Sequence, residues 1–159
     1  MRIRNLARPV VLVTLGVATL MVALVSSAGA APPAKYQITV SDSPGGYVVA
    51  TIPPLVADDT YLVGFANNSA EPHVFILVGG LPEDLDVDGF IALLDSPAPP
   101  PEGVFEAGAV FSKPGQDHQK KFDVNQTGRY GFFCPIPNPD GVPHYQDGFV
   151  GLFDVVVFP

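Results

Sequence analysis

The chain has 159 residues, 47% of them hydrophobic and 15% charged, with a formal net charge of −8 at pH 7. That length suits a single ordinary domain, and the acidic balance opposes nucleic-acid binding and adhesion to anionic lipid. One cysteine, Cys134, excludes an internal disulfide framework.

The first thirty residues read as a targeting segment. Arg2, Arg4 and Arg8 give a positive start, Val10 to Val25 is an uncharged and mostly apolar run, and Ala28-Gly29-Ala30 supplies small residues for cleavage. The expectation is a signal peptide over 1–30 and one domain over 31–159. The alternative is an uncleaved membrane anchor, but a spanning helix needs about 20 apolar residues and this run is short. No acidic residue precedes position 31, so residues 31–159 set sixteen acids against five basic residues, a net charge of −11. Such a surface favours a basic partner. No membrane span is expected after residue 30, and a monomer is expected.

From Tyr36 the chain reads as short strands broken by Gly, Pro, Asn and Asp. Tyr36 to Val40 alternates with period two, and Tyr47 to Ile52 is rich in β-formers, with Ser43-Pro44-Gly45-Gly46 as the turn between them. Thr60 to Ala66 and His73 to Val78 follow, then Val104 to Phe111, Gln119 to Val124, Arg129 to Cys134 and Val150 to Phe158. Between the fourth and fifth strands, Leu81 to Leu94 suits a short helix with proline and acids at its positive end. The proline-rich run Asp95 to Gly103 reads as a surface crossing. Seven or eight strands of this size with one short helix predict an all-β sandwich.

The chemistry concentrates in Gly128 to Phe149. Cys134 closes a strand, prolines at 135, 137, 139 and 143 stiffen the loop behind it, and His144 stands near the loop's end. His73, after Glu71-Pro72, is the candidate for a third donor. A thiolate with two imidazoles is the His₂Cys set of a blue-copper centre, soft enough for copper(I) and borderline enough for copper(II). His118 lies in a polar stretch and reads as solvated surface. Asn67-Asn68-Ser69 and Asn125-Gln126-Thr127 match glycosylation acceptors.

These residues resemble the cupredoxin family, blue-copper proteins that include plastocyanin and azurin. The signature Gly-x-Tyr-x-x-x-Cys appears as Gly128 to Cys134, and the ligand loop as Cys-x9-His-x4-Phe over Cys134, His144 and Phe149. Lys113-Pro114-Gly115 also fits. The resemblance implies a cupredoxin-like Greek-key β-sandwich holding one type 1 copper on His73, Cys134 and His144. It departs from the family in two places. Phe149 occupies the usual axial Met position and cannot coordinate, which implies a raised reduction potential; Gln146 is an axial donor by type only. Val74 follows the first His where plastocyanin and azurin often carry Asn, leaving Asn67 or Asn68 to tie the ligand loops.

The activity implied is single-electron transfer between redox partners, not catalysis. Phe133 stands where nitrite reductases carry the His that wires to a second copper, and the chain has no His-x-His pairs of the laccase type. The electron is expected to leave by the edge of His144, amid Ile136, Pro137, Val142 and Pro143. Two alternatives stay open: a copper-binding or delivery protein without redox cycling, and a copper-free cupredoxin module used for recognition.

Overall fold

A computed structural model describes residues 34–49, 55–57 and 59–157. The signal peptide read over 1–30 lies outside the described residues. Eight strands and one helix follow in chain order: β1 (Ala34–Ser43), β2 (Gly46–Val49), β3 (Asp59–Asn67), β4 (His73–Leu81), α1 (Val87–Asp95), β5 (Phe105–Ser112), β6 (Asp117–Val124), β7 (Gly128–Phe133) and β8 (Val150–Val155). They form two four-stranded sheets, ordered β2-β1-β3-β6 and β5-β4-β7-β8. β1 and β3 run parallel, and every other pairing is antiparallel.

Period-two alternation puts one face of each strand between the sheets. In β4, His73, Phe75, Leu77 and Gly79 point inward while Val74, Ile76 and Val78 are half-buried, and past an irregularity after Val78, Leu81 is buried beside Phe90 of α1. Phe65, Phe75, Phe122, Phe149 and Tyr130 fill the space between the sheets with almost no exposure. Each such aromatic ring withdrawn from water contributes about 2–3 kcal/mol. The Tyr130 hydroxyl donates to the Gln126 carbonyl 2.9 Å away, a tyrosine corner that fixes the entry to β7.

One element differs from the sequence reading. β2 is described over Gly46–Val49, paired with β1 from Ser43 opposite Gly46 to Val40 opposite Val49, and residues 50–52 of the expected strand lie outside the described residues. The helix begins at Val87, not at Leu81: Leu81 still belongs to β4, and the 82–86 segment is a turn closed by Leu85 N–H on the Pro82 carbonyl. Asp86 is the N-cap, its carboxylate accepting the Gly89 N–H at 2.7 Å. Phe90 of α1 seats directly on β7 at Gly131, where any Cβ would lie 2.6 Å from the ring. Among the described residues no helix is long and apolar enough to cross a membrane.

Candidate metal centre

His73 opens β4, Cys134 follows the last residue of β7, and His144 lies in the loop from β7 to β8. All three are fully buried, and one donor atom from each lies within 4.8 Å of the other two. Cys134 Sγ is 3.5 Å from His144 Nδ1. The fold therefore unites residues 60 or more positions apart at one end of the sandwich. His118 is exposed on β6, bonded to Gln116 and remote from this cluster.

The loop that carries Cys134 and His144 is tied back on itself at every turn. Cys134 N–H donates to the Phe149 carbonyl, Tyr145 N–H to the Cys134 carbonyl, and His144 N–H to the Ile136 carbonyl. Asn138 accepts two backbone N–H groups on its side-chain oxygen, from Asp140 and Val142, and donates to Asp147. With four prolines already limiting φ, few conformations remain to the loop. The Tyr145 hydroxyl and the Gln146 amide both bond Asp95 at the end of α1. Gln146 is thereby turned outward, away from an axial role.

The His73 loop is organised by Asn67. Its amide nitrogen donates to the carbonyls of Glu71 (2.7 Å) and Ser112 (3.0 Å), and its oxygen accepts from the Ser69 N–H and hydroxyl. Gly115 N–H, in the Lys113-Pro114-Gly115 turn, closes on the Asn67 carbonyl. Asn67 is fully buried with its amide engaged, so of the two glycosylation matches only Asn125 is exposed.

Ser69 decides which nitrogen of His73 faces the site. Its single hydroxyl proton is directed to the Asn67 side-chain oxygen or the Glu71 carbonyl, neither of which can donate. The hydroxyl, 2.8 Å from His73 Nε2, must therefore accept from that nitrogen. Nδ1 is left as a bare lone pair, buried and without a hydrogen-bond partner. A buried orphan of this kind is costly unless something fills its place. Burial and the neighbouring His144 push the His73 pKa down to about 4. Burial also pushes the Cys134 thiol up, opposed by the N–H groups of Val74, 3.4 Å from Sγ, and Ile136. A second proton is thus disfavoured on His73, the thiol proton stays on Cys134, and the donor set of one soft sulfur with two imidazoles fits copper.

By sequence, no protein-family model and no curated protein matches the chain. By structure, it is similar to the dithionite-reduced auracyanin from the photosynthetic bacterium Roseiflexus castenholzii. That likeness has TM-score 0.52 and 22% identity, over 77% of this chain and 98% of the other. Two further similar structures are auracyanin B (TM-score 0.49, 20% identity, 81% and 92% covered) and auracyanin A from Chloroflexus aurantiacus (0.47, 19%, 77% and 98%). The chain has the cupredoxin fold. The cupredoxin sandwich was legible as seven or eight strands, and eight are present in the described residues.

One detail of the site differs from expectation. His144 does not present a bare edge to solvent. It is fully buried, and its Nε2 lies 2.9 Å from the Glu71 carboxylate, whose side chain is 29% exposed. The reason is local: Glu71, two residues before His73, lies in the bend that leads into β4, and its side chain reaches across to the facing loop. Half-buried Tyr47 packs on both imidazoles, with ring centroids 4.6 Å from His73 and 4.8 Å from His144. Burial, together with the negative charge of Glu71, raises the Tyr47 pKa to about 12. Phe149 stacks on His73 at 5.0 Å and 21°, a fully buried ring with no donor atom. Ser69, Glu71 and Tyr47 escaped the sequence reading, because residues 69–71 form a bent connection between β3 and β4 that no period-two pattern marks.

Proposed function

We propose that this chain is an exported cupredoxin that holds one type 1 copper on His73, Cys134 and His144 and passes single electrons between redox partners. The observation that carries the reading is the buried, unpartnered Nδ1 of His73, a residue with a donor atom within 4.8 Å of those of a thiol and a second imidazole. When bound, copper supplies a one-electron couple that both donor types tolerate.

The protein's own residues do the rest. Cys134 gives up its proton to become the soft donor, and the Val74 N–H drawn toward Sγ moderates its charge. The tied loop behind Cys134 and the braced segment before His73 hold the donors in one arrangement, so little rearrangement accompanies a change of charge. Phe149 and Tyr47 pack against the imidazoles and keep water from the site, and Phe149, having no donor atom, would add no ligand to a bound copper, which would favour the lower oxidation state. No catalytic step is assigned. Outward passage follows His144 and the Tyr47 ring packed on it, and the acidic surface steers a basic partner.

Copper(II) added to the purified protein should produce an intense visible sulfur-to-copper charge-transfer band at one equivalent. Cys134→Ser should lose that band while keeping the β-sheet circular dichroism of the parent. A parent protein that stays colourless, or a Cys134→Ser variant that colours equally, overturns the proposal.

A further inference from the structure

The Glu71–His144 contact has a role that the donor set alone does not require. A carboxylate is an acceptor only, so the 2.9 Å contact at Nε2 places the ring proton there and leaves Nδ1 bare toward Cys134 Sγ, 3.5 Å away. The carboxylate is itself held. Its backbone carbonyl accepts from the Asn67 amide at 2.7 Å, Pro72 follows it, and the Tyr47 ring packs against the imidazole it contacts. His144 is fully buried beneath it. Taken with Ser69 on His73, the two imidazoles are set in the same tautomer by two residues of one short segment, Ser69-Ala70-Glu71.

We infer that Glu71 is a positioning residue for His144, fixing the Nε2–H tautomer and lending negative charge that strengthens the imidazole as a donor. The inference rests on the proposed reading of His73, Cys134 and His144 as ligands. A carboxylate behind a metal-bound imidazole raises its basicity. Glu71 therefore favours the more highly charged copper(II), against the effect of the missing axial donor at Phe149. It also makes the outward face of His144 a carboxylate rather than an apolar edge.

Two variants separate charge from geometry. Glu71→Gln keeps a carbonyl acceptor but removes the charge; Glu71→Ala removes both. Imidazole ¹⁵N spectra of the metal-free full-length protein should show His144 as a single Nε2–H form in the parent and in Glu71→Gln, and as a mixture in Glu71→Ala. With copper bound, Glu71→Gln should raise the reduction potential by about 59 mV for each tenfold shift in copper(II)-to-copper(I) preference, with one such tenfold expected. Glu71→Ala should weaken copper(II) binding roughly 10- to 100-fold. A single Nε2–H form retained in Glu71→Ala overturns the positioning role. A blue parent whose potential matches that of Glu71→Gln overturns the tuning role. If the parent takes no copper, the ligand reading falls, and the metal-free spectra alone decide what Glu71 does to His144.

Discussion

His73 shows how far one side chain's surroundings can determine its state. The Ser69 hydroxyl accepts from the Nε2–H, burial disfavours a second proton on the ring, and the pKa falls from 6.5 to about 4. In the metal-free protein this makes stability depend on pH in a defined window. Above 6.5 His73 is neutral whether folded or unfolded and contributes nothing to the slope. Between 6.5 and about 4 only the unfolded chain takes the proton, so stability falls as pH drops; below about 4 the loss is complete. The full loss is about 3 kcal/mol. Urea unfolding of the metal-free parent and His73→Gln across this range checks it, because carboxylates titrate alike in both. The parent should lose more stability on acidification, and equal slopes would contradict the assignment. The three residues that the fold brings together, His73, Cys134 and His144, were legible because sulfur and imidazole are rare in this chain. The residues that set their tautomers were not, because Ser69 and Glu71 are ordinary surface types whose meaning comes from the fold.

At the scale of elements, the segment between β3 and β4 is the part of the site that strand pattern does not specify. Its shape depends on Asn67, which joins the end of β3 to Glu71 and to Ser112 at the end of β5. Asn67→Ala leaves the Ser112 carbonyl without this donor and removes the acceptor for Ser69, in a place water does not reach. The expected cost is about 3 kcal/mol, at 1–3 kcal/mol for each buried polar group left unmet. Thermal unfolding measures it, and copper binding should weaken in parallel because Ser69 no longer holds His73. A variant within 0.5 kcal/mol (about the effect of an ordinary surface change) would show that the segment is held by other means. Asn67 was a candidate tie in the sequence, but Asn67 and Asn68 could be separated only once one was seen buried and the other exposed. The helix start was misplaced for a related reason. Proline and acids mark a positive helix end in general, but here β4 extends through Leu81 and the chain needs a turn before Asp86 can cap.

Across the whole molecule, the sandwich brings a loop between two strands and the mouth of a third to the same end. Alternating patterns and turn residues made the eight strands readable, since each strand states its own buried face. The closure of His144 by Glu71 and Tyr47 was not readable, because it joins β2, the β3–β4 segment and the ligand loop, which lie far apart in sequence. The acidic balance of residues 31–159 belongs to this scale too, as a property of the surface rather than of the site. The central claim is that the fold closes one sulfur and two imidazole nitrogens around a single copper ion. X-ray absorption at the copper edge of the loaded protein tests it most directly. It should report one sulfur and two imidazole nitrogens in the inner shell of the parent, with the sulfur lost in Cys134→Ser; a shell of nitrogen and oxygen alone in the parent would contradict it.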